Sequence, residues 1–256
     1  MWGTTGGYRP SRLDPRPIVA VLAIWEVAAR LALVNPSFFP PPTVIGVTAI
    51  QLLVYDDMAT HLLASLRRIL FAFVTGSTTG LAIGLLMGWS RDVRLLLNPY
   101  VALLYPIPKI VLLPITFSLF GVTELARILT MSLAVFLLVS MYTMGGVRAI
   151  DESHVELALD NGAGRLDLFR EVIVPGALPQ VFSGLSVGFG LGFILIVVIE
   201  MVAAGTGLGY VIWSSWQLFT IPRLYVALFL INVIGLVSLY GIEECRRYLM
   251  PWEVRS

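Results

Sequence analysis

The sequence predicts an all-α, polytopic helical membrane protein with about six transmembrane helices. Hydrophobic residues make up 57% of its 256 residues and charged residues only 13%, about half the usual globular share of roughly 25%. The mean hydropathy is +0.87. A soluble domain of this length could not bury so much apolar surface. The composition therefore excludes a soluble enzyme, a disordered linker and a secreted disulfide scaffold.

The six predicted spans are apolar runs of the length that crosses a bilayer, about 20 residues. Four runs carry no charge, namely residues 69–90, 128–147, 178–199 and 224–242. A fifth, 95–123, contains only Lys109. The weakest, 17–34, contains Glu26 and Arg30, whose spacing allows them to pair on one helix face.

A shorter apolar segment, residues 43–55, follows three consecutive prolines and precedes two aspartates. It is too short to cross a bilayer, so we expect a helix that lies at the membrane interface.

The distribution of Lys and Arg predicts that both chain termini are cytoplasmic. With that orientation, eleven of these residues fall inside and four outside, as the positive-inside rule requires. The inside set is Arg9, Arg12, Arg16, Arg91, Arg94, Arg148, Arg165, Arg170, Arg246, Arg247 and Arg255, and the outside set is Arg67, Arg68, Arg127 and Arg223. Residues 1–16 then form a cytoplasmic tail, and residues 17–256 form a single membrane domain.

Two predicted spans carry a glycine at every fourth position. These are Gly76, Gly80, Gly84 and Gly88 in one span, and Gly184, Gly188 and Gly192 in another. Such a stripe lets a neighbouring helix approach closely in lipid. We interpret both stripes as packing surfaces, with sliding during a conformational cycle as the alternative.

The longest polar connection, residues 148–177, is predicted to be a helix–turn–helix in the cytoplasm. Ser153 and Glu156 have the spacing of a capping box, which predicts a helix start at Ser153. Gly162 and Gly164 then interrupt that helix.

A second short helix is predicted over residues 165–172, with one apolar face. That face would contain Leu166, Phe169 and either Val172 or Ile173. Pro175 and Pro179 are expected to end this helix and to begin the next span.

This connection resembles the EAA motif, the cytoplasmic loop of membrane subunits of bacterial ABC importers. The motif reads Glu-Ala-Ala, three residues, Gly, nine residues, Ile, one residue, Leu-Pro. Glu156, Ala158, Gly162 and Pro175 match it, Val172 and Val174 replace Ile and Leu, and Leu157 replaces the central Ala. The resemblance implies that Glu156, Ala158, Gly162, Ala163 and Pro175 belong to a loop that couples the permease to an ATPase.

A wider stretch, about 61–210, is similar to the binding-protein-dependent permeases of the nitrate, sulfonate and taurine group. The similar segments are HLLASLRRILFAF, NPYVALLYPIPKIVLLPITFSLFG and IEMVAAGTGLGYVI. The resemblance implies a type I ABC importer transmembrane domain in the bacterial inner membrane, which rocks between two states.

The resemblance also implies the partners. These are a cytoplasmic ABC ATPase dimer, a second copy of this chain, an extracytoplasmic substrate-binding protein and the lipid bilayer. ATP and Mg are expected on the ATPase, because this chain has no Gly-x-x-x-x-Gly-Lys phosphate loop. We expect no cofactor in this chain and no enzymatic activity of its own.

Metal and nucleic-acid sites are not expected. His61 and His154 are far apart in sequence and fit no ligand pattern, and Cys245 is the sole cysteine. The net charge of +1 gives no basic surface for nucleic acid.

Two ionisable residues, one within a predicted span and one at the end of another, are candidates for the solute pathway or its gate. Lys109 stands among prolines, including Pro106 and Pro108, that predict a broken helix. It either attracts an anionic solute or pairs with a carboxylate or with backbone carbonyls and only shapes the helix. Glu200 either acts as a gate or is a structural partner, across a dimer or to the glycine-rich run that follows it.

The alternatives to an importer subunit are a secondary transporter and a membrane enzyme. The first needs titratable residues paired at the midplane, where only Lys109 qualifies, and the second needs a clustered set of catalytic groups. For the solute, a small anion such as a sulfonate, taurine, nitrate or bicarbonate is expected. A thiamine-precursor pyrimidine is the alternative.

Overall fold

Helices form almost all of the regular structure in the computed structural model, which describes residues 15–252. Within that range there is no β-strand. The predicted all-α class is confirmed. The predicted tail, residues 1–16, lies almost wholly outside the described residues, as does Arg255.

The helices follow one another with short connections. In chain order they are α1 (Pro15–Arg30), α2 (Pro42–Tyr55), α3 (Met58–Trp89), α4 (Arg91–Leu104), α5 (Leu112–Phe120), α6 (Glu124–Arg148), α7 (Glu152–Asp160), α8 (Arg165–Asp167), α9 (Val174–Ala203), α10 (Leu208–Gln217) and α11 (Ile221–Leu249). A 3₁₀ turn, Lys109–Val111, precedes α5, and a π-helical segment, Leu168–Ile173, joins α8 to α9.

Among the described residues, fewer helices than the expected six are long and apolar enough to cross a membrane. In the described part of the chain, four helical stretches are long and apolar enough to cross a membrane: α3, α6, α11 and the continuous stretch Arg165–Ala203. The first predicted span is shorter than expected, because α1 has 16 residues, or about 24 Å at 1.5 Å per residue.

The fifth predicted span, 95–123, is not one straight helix. It consists of α4 and α5, which bend by 92° at their junction. Pro106 and Pro108 lack a backbone N–H and disfavour helical geometry in the residue before them, so the helix cannot continue through the junction. The described residues thus form four spans, or five if the bent pair crosses once.

The carboxylate of Glu26 fastens α1 to α2. It accepts a bond from Arg30 Nε at 2.5 Å, as the spacing predicts, and further bonds from the amide and hydroxyl of Thr43 at 3.0 and 2.8 Å. The Thr43 amide is one of the free donors at the start of α2. The helix expected over 43–55 is present, one residue longer at its start.

The core is built around α6, which lies between α3 and α9. The glycines of α3 face α6 so closely that a Cβ on Gly76 would lie 2.5 Å from Ser132 O, and one on Gly84 would lie 2.6 Å from Thr143 Cβ. In α9, a Cβ on Gly184 would lie 2.5 Å from Tyr142 Cβ. Both glycine stripes therefore border α6. Gly80, Gly88 and Gly192 make similar close approaches to it, whereas a Cβ on Gly188 would lie 3.3 Å from Val139 Cγ2.

The close approach at Gly76 predicts that even one methyl group is destabilising there. Gly76→Ala should cost about 1–3 kcal/mol of stability, because α3 must move away from a backbone carbonyl of α6. Gly190→Ala is the matched control, since this helical glycine has no atom within 4 Å of an added Cβ, and alanine should stabilise it by about 0.5–1 kcal/mol. Thermal denaturation of both variants in detergent measures the difference in stability. Equal melting temperatures would contradict the close packing of α3 against α6.

Candidate functional site

The connection between α6 and α9 begins with a helix whose first turn is capped by an aspartate. Asp151 is the N-cap of α7 and its Oδ1 accepts a bond from Ser153 N at 3.0 Å. This bond holds the pKa of the Asp151 carboxyl below its ordinary value. The N-cap predicted at Ser153 is therefore wrong by two residues, and α7 begins at Glu152. The side chain of Asp151 accepts a bond from the free amide of Ser153, so Asp151 is the cap of this helix.

Gly162 forms the turn that ends α7. Its φ is +83°, its amide donates to Leu159 O at 2.9 Å, and the amide of Ala163 donates to Ala158 O at 3.0 Å. No atom lies within 4 Å of a Cβ added there. The backbone conformation at position 162 favours glycine, since residues with a Cβ disfavour positive φ.

The second half of the connection differs from the prediction. Neither Pro175 nor Pro179 ends a helix, because α8, the π-helical segment and α9 run on as one helical stretch, Arg165–Ala203. A proline clashes with the carbonyl four residues earlier in an α-helix, and the wider i→i+5 turn relieves that conflict ahead of Pro175. The wider turn also changes the buried face, so Leu168 and Ile173 are buried and Leu166 is exposed.

Apolar side chains on this connection remain exposed. Leu157, where the EAA motif has alanine, is 62% exposed, and Leu159 and Leu166 are also exposed. Glu156 is exposed and Ala158 is half-buried. A cavity of about 670 Å³ opens beside α7 and is lined in part by Ala158, Pro175 and Trp252. Exposed apolar side chains on a polar connection are typical of a surface that binds another protein.

Lys109 occupies the break between α4 and α5. Its Nζ donates to three backbone carbonyls: Leu104 O at 3.1 Å, Tyr105 O at 2.5 Å and Ile107 O at 2.7 Å. These carbonyls lack helical partners because the helix is broken, and the ammonium group has three protons to offer them. Of the two interpretations of Lys109, the structure shows the pairing with carbonyls.

A cavity of about 510 Å³ lies beside this break. Pro108 and Lys109 line it together with apolar side chains of α6 and α9, among them Leu138 and Leu195. Pro106 lies in the same break. The attraction of an anion by Lys109 remains a hypothesis.

Glu200 is buried near the end of α9 that lies opposite the connection. The residue is 1% exposed and accepts bonds from Ser65 Oγ at 2.8 and 2.7 Å, from Arg68 Nη1 at 2.7 Å and from Gly209 N at 3.0 Å. One of the roles expected for Glu200 was a structural link to the glycine-rich run, residues 205–209. That link is present in the structure.

Arg68 is the residue that joins the most elements at this end. It is 3% exposed, pairs with Glu124 of α6 through two bonds of 2.6 and 2.7 Å, and donates to the carbonyl and hydroxyl oxygens of Thr206 at 2.7 Å. Arg127 binds the same Glu124 at 2.6 Å and the carbonyl of Ala203 at 2.7 Å. In the sequence, Arg68 and Arg127 indicated only the orientation of the chain, and this network was not predicted.

A family model described as "Binding-protein-dependent transport system inner membrane component" matches residues 76–242. The chain belongs to this family. The taurine transport system permease protein TauC of Escherichia coli K12 is 32% identical over 240 residues, covering 92% of this chain and 87% of TauC. The putative aliphatic sulfonates transport permease protein SsuC of Bacillus subtilis is 28% identical over 232 residues, covering 91% of this chain and 84% of SsuC.

A solved structure with the same fold is the MetNI methionine ABC transporter in inward-facing conformations. The TM-score is 0.63 at 16% identity, and the match covers 75% of this chain and 95% of that chain. This likeness and the family confirm the type I ABC importer transmembrane fold. Family membership makes this chain a multi-pass inner-membrane permease subunit of an ABC importer.

Proposed function

We propose that this chain forms the translocation pathway of an ATP-driven importer for a small sulfonate such as taurine. The observation that carries the proposal is the similarity to TauC over 92% of the chain, and SsuC proteins of two species are also similar over most of it. A formylaminopyrimidine is the alternative, because the formylaminopyrimidine transport permease protein ThiX of Halalkalibacterium halodurans is 28% identical over 236 residues.

We propose that the connection between α6 and α9 lies in the cytoplasm and binds the ATPase that holds ATP and Mg. The chemistry of its surface supports this role. Leu157, Leu159 and Leu166 offer exposed apolar contacts, and the side chains around them are largely charged. This arrangement fits an apolar contact with a polar rim.

The continuity of α9 with the connection supplies a route for the motion. Because the helical stretch runs unbroken from Arg165 to Ala203, a displacement at the ATPase would move α9 as a lever. Two copies of the chain on an ATPase dimer would then rock together between two states. An extracytoplasmic binding protein would deliver the solute at the opposite end.

Uptake by proteoliposomes tests the solute. The complex is purified with its ATPase, reconstituted, and supplied with its binding protein, internal ATP and radiolabelled taurine. We expect ATP-dependent uptake that unlabelled ethanesulfonate reduces and formylaminopyrimidine does not. Uptake of labelled formylaminopyrimidine with no uptake of taurine would replace the sulfonate by the pyrimidine.

A further inference from the structure

Three side chains on one face of α3 hold the turn between α9 and α10. His61, Ser65 and Arg68 are spaced four and three residues apart, which places them on the same helix face. All three are buried, although two of them are ionisable. Buried polar groups of this kind are retained where they are fully bonded, so their partners define what they do.

Their partners include the free amides at the start of α10. The amide of Gly207 donates to His61 Nδ1 at 3.1 Å and that of Leu208 to Ser65 Oγ at 2.8 Å. The amide of Gly209 donates to Glu200 Oε2 at 3.0 Å. Side chains from α3 and α9 therefore satisfy the donors that a helix start leaves open, and a carboxylate suits its positive end.

Steric contact holds the same turn against α9. Gly207 has a φ of +112°, and a Cβ added there would lie 2.4 Å from the Cδ of Glu200. A Cβ on Gly209 would lie 2.4 Å from Val197 O. The turn thus cannot shift along α9 unless Glu200 moves as well.

A second layer of ion pairs extends the contact to α6. Arg68 bridges Glu200 of α9 and Glu124 of α6, and Arg127 of α6 reaches back to the last carbonyl of α9, that of Ala203. Two guanidinium groups thus compensate two carboxylates. We call Ser65, Arg68, Glu124, Arg127 and Glu200 the outer clamp.

We propose that the outer clamp is a positioning site for transport. It makes the ends of α3, α6, α9 and α10 move as one body, so that motion imposed on the connection at the start of α9 reaches the opposite mouth of the pathway. The proposal rests on the importer function proposed above. The 30 residues of α9 span about 45 Å, and motion of the far end of α9 reaches α3, α6 and α10 only if these helices are fastened to it.

Glu200→Gln is the variant that separates positioning from folding. Glutamine keeps the shape and can still accept bonds from Ser65 and Gly209, while Arg68 keeps its charge partner Glu124. Thr206→Val is a milder second variant that removes one bond of Arg68. Arg67→Gln is the matched control, because Arg67 is the exposed neighbour of Arg68 on the same helix.

Two readouts are compared in the complete complex in proteoliposomes. The first is the mobility of a nitroxide on Gly205→Cys, an exposed turn residue with no atom within 4 Å of an added Cβ. The single native cysteine, Cys245, is replaced by serine in this background. The second is the ATP hydrolysed per taurine taken up.

We expect Glu200→Gln to mobilise the label and to raise the ATP used per taurine by about tenfold, the size that one charged hydrogen bond supports. Thr206→Val should change both readouts in the same direction by less, and Arg67→Gln should change neither.

An unchanged label mobility in Glu200→Gln would overturn the clamp. A mobile label with an unchanged ATP-to-taurine ratio would overturn its role in transport. If the wild-type complex takes up no taurine, the solute proposal fails, and the label still decides whether the clamp exists.

Discussion

Replacing Arg68 by glutamine is expected to lower the free energy of unfolding by about 3–5 kcal/mol, because it leaves a buried carboxylate without its cation. Glu200 is 1% exposed and Arg68 Nη1 is 2.7 Å from its Oε1. Arg68 also binds Glu124 and Thr206, so the substitution removes contacts with three elements at once. Chemical denaturation of the purified chain in detergent measures the loss.

Arg67→Gln provides the control for this measurement. Arg67 precedes Arg68 on the same helix but is exposed, so its replacement should change stability by no more than about 0.5 kcal/mol. If the two variants unfold at the same denaturant concentration, the buried ion pair does not stabilise the fold as described.

Replacing Gly162 by valine is expected to weaken the coupling between ATP hydrolysis and transport strongly while the membrane helices remain folded. Gly162 has a φ of +83°, a conformation that costs a residue with a Cβ about 1–2 kcal/mol, and a β-branched one more. The turn should then open and rotate α7 away from α8, which changes the position of the exposed Leu157 and Leu166. We expect uptake to fall by about tenfold or more, since a small misplacement of contacts has effects of this size.

Gly162→Asn is the control for that variant. Asparagine tolerates positive φ, and the open space around the position accommodates its side chain. Uptake and substrate-stimulated ATP hydrolysis should therefore stay near the wild-type rates. If valine and asparagine have equal effects, the backbone conformation of the turn is not what coupling requires.

The apolar runs predicted the membrane helices well but misplaced their ends. The run expected over 69–90 belongs to α3, which begins at Met58. The predicted run began only after Arg68, because a charged arginine beside an apolar run usually marks the end of a membrane span. Its partner Glu200 is 132 positions away, and such a pairing has no local signal. The spacing of His61, Ser65 and Arg68 on one face was the signal that could have indicated the network.

The turn at Gly162 was the part of the candidate site best predicted by local pattern. The position of Gly162 matched the expected turn, because a single residue with positive φ leaves a strong mark in sequence. The cap was misassigned since Asp151 and Ser153 are both good caps, two residues apart. The π-helical segment ahead of Pro175 changes the hydrogen-bond register, and spacing alone does not reveal such a change.

Native mass spectrometry of the tagged chain, purified from its own membranes in mild detergent, measures which subunits assemble with it. We expect a complex of two copies of this chain with two ATPase subunits, which Gly162→Asn preserves and loss of residues 152–164 abolishes. Recovery of the wild-type chain without an ATPase, under conditions that keep a known ABC importer intact, would contradict this expectation.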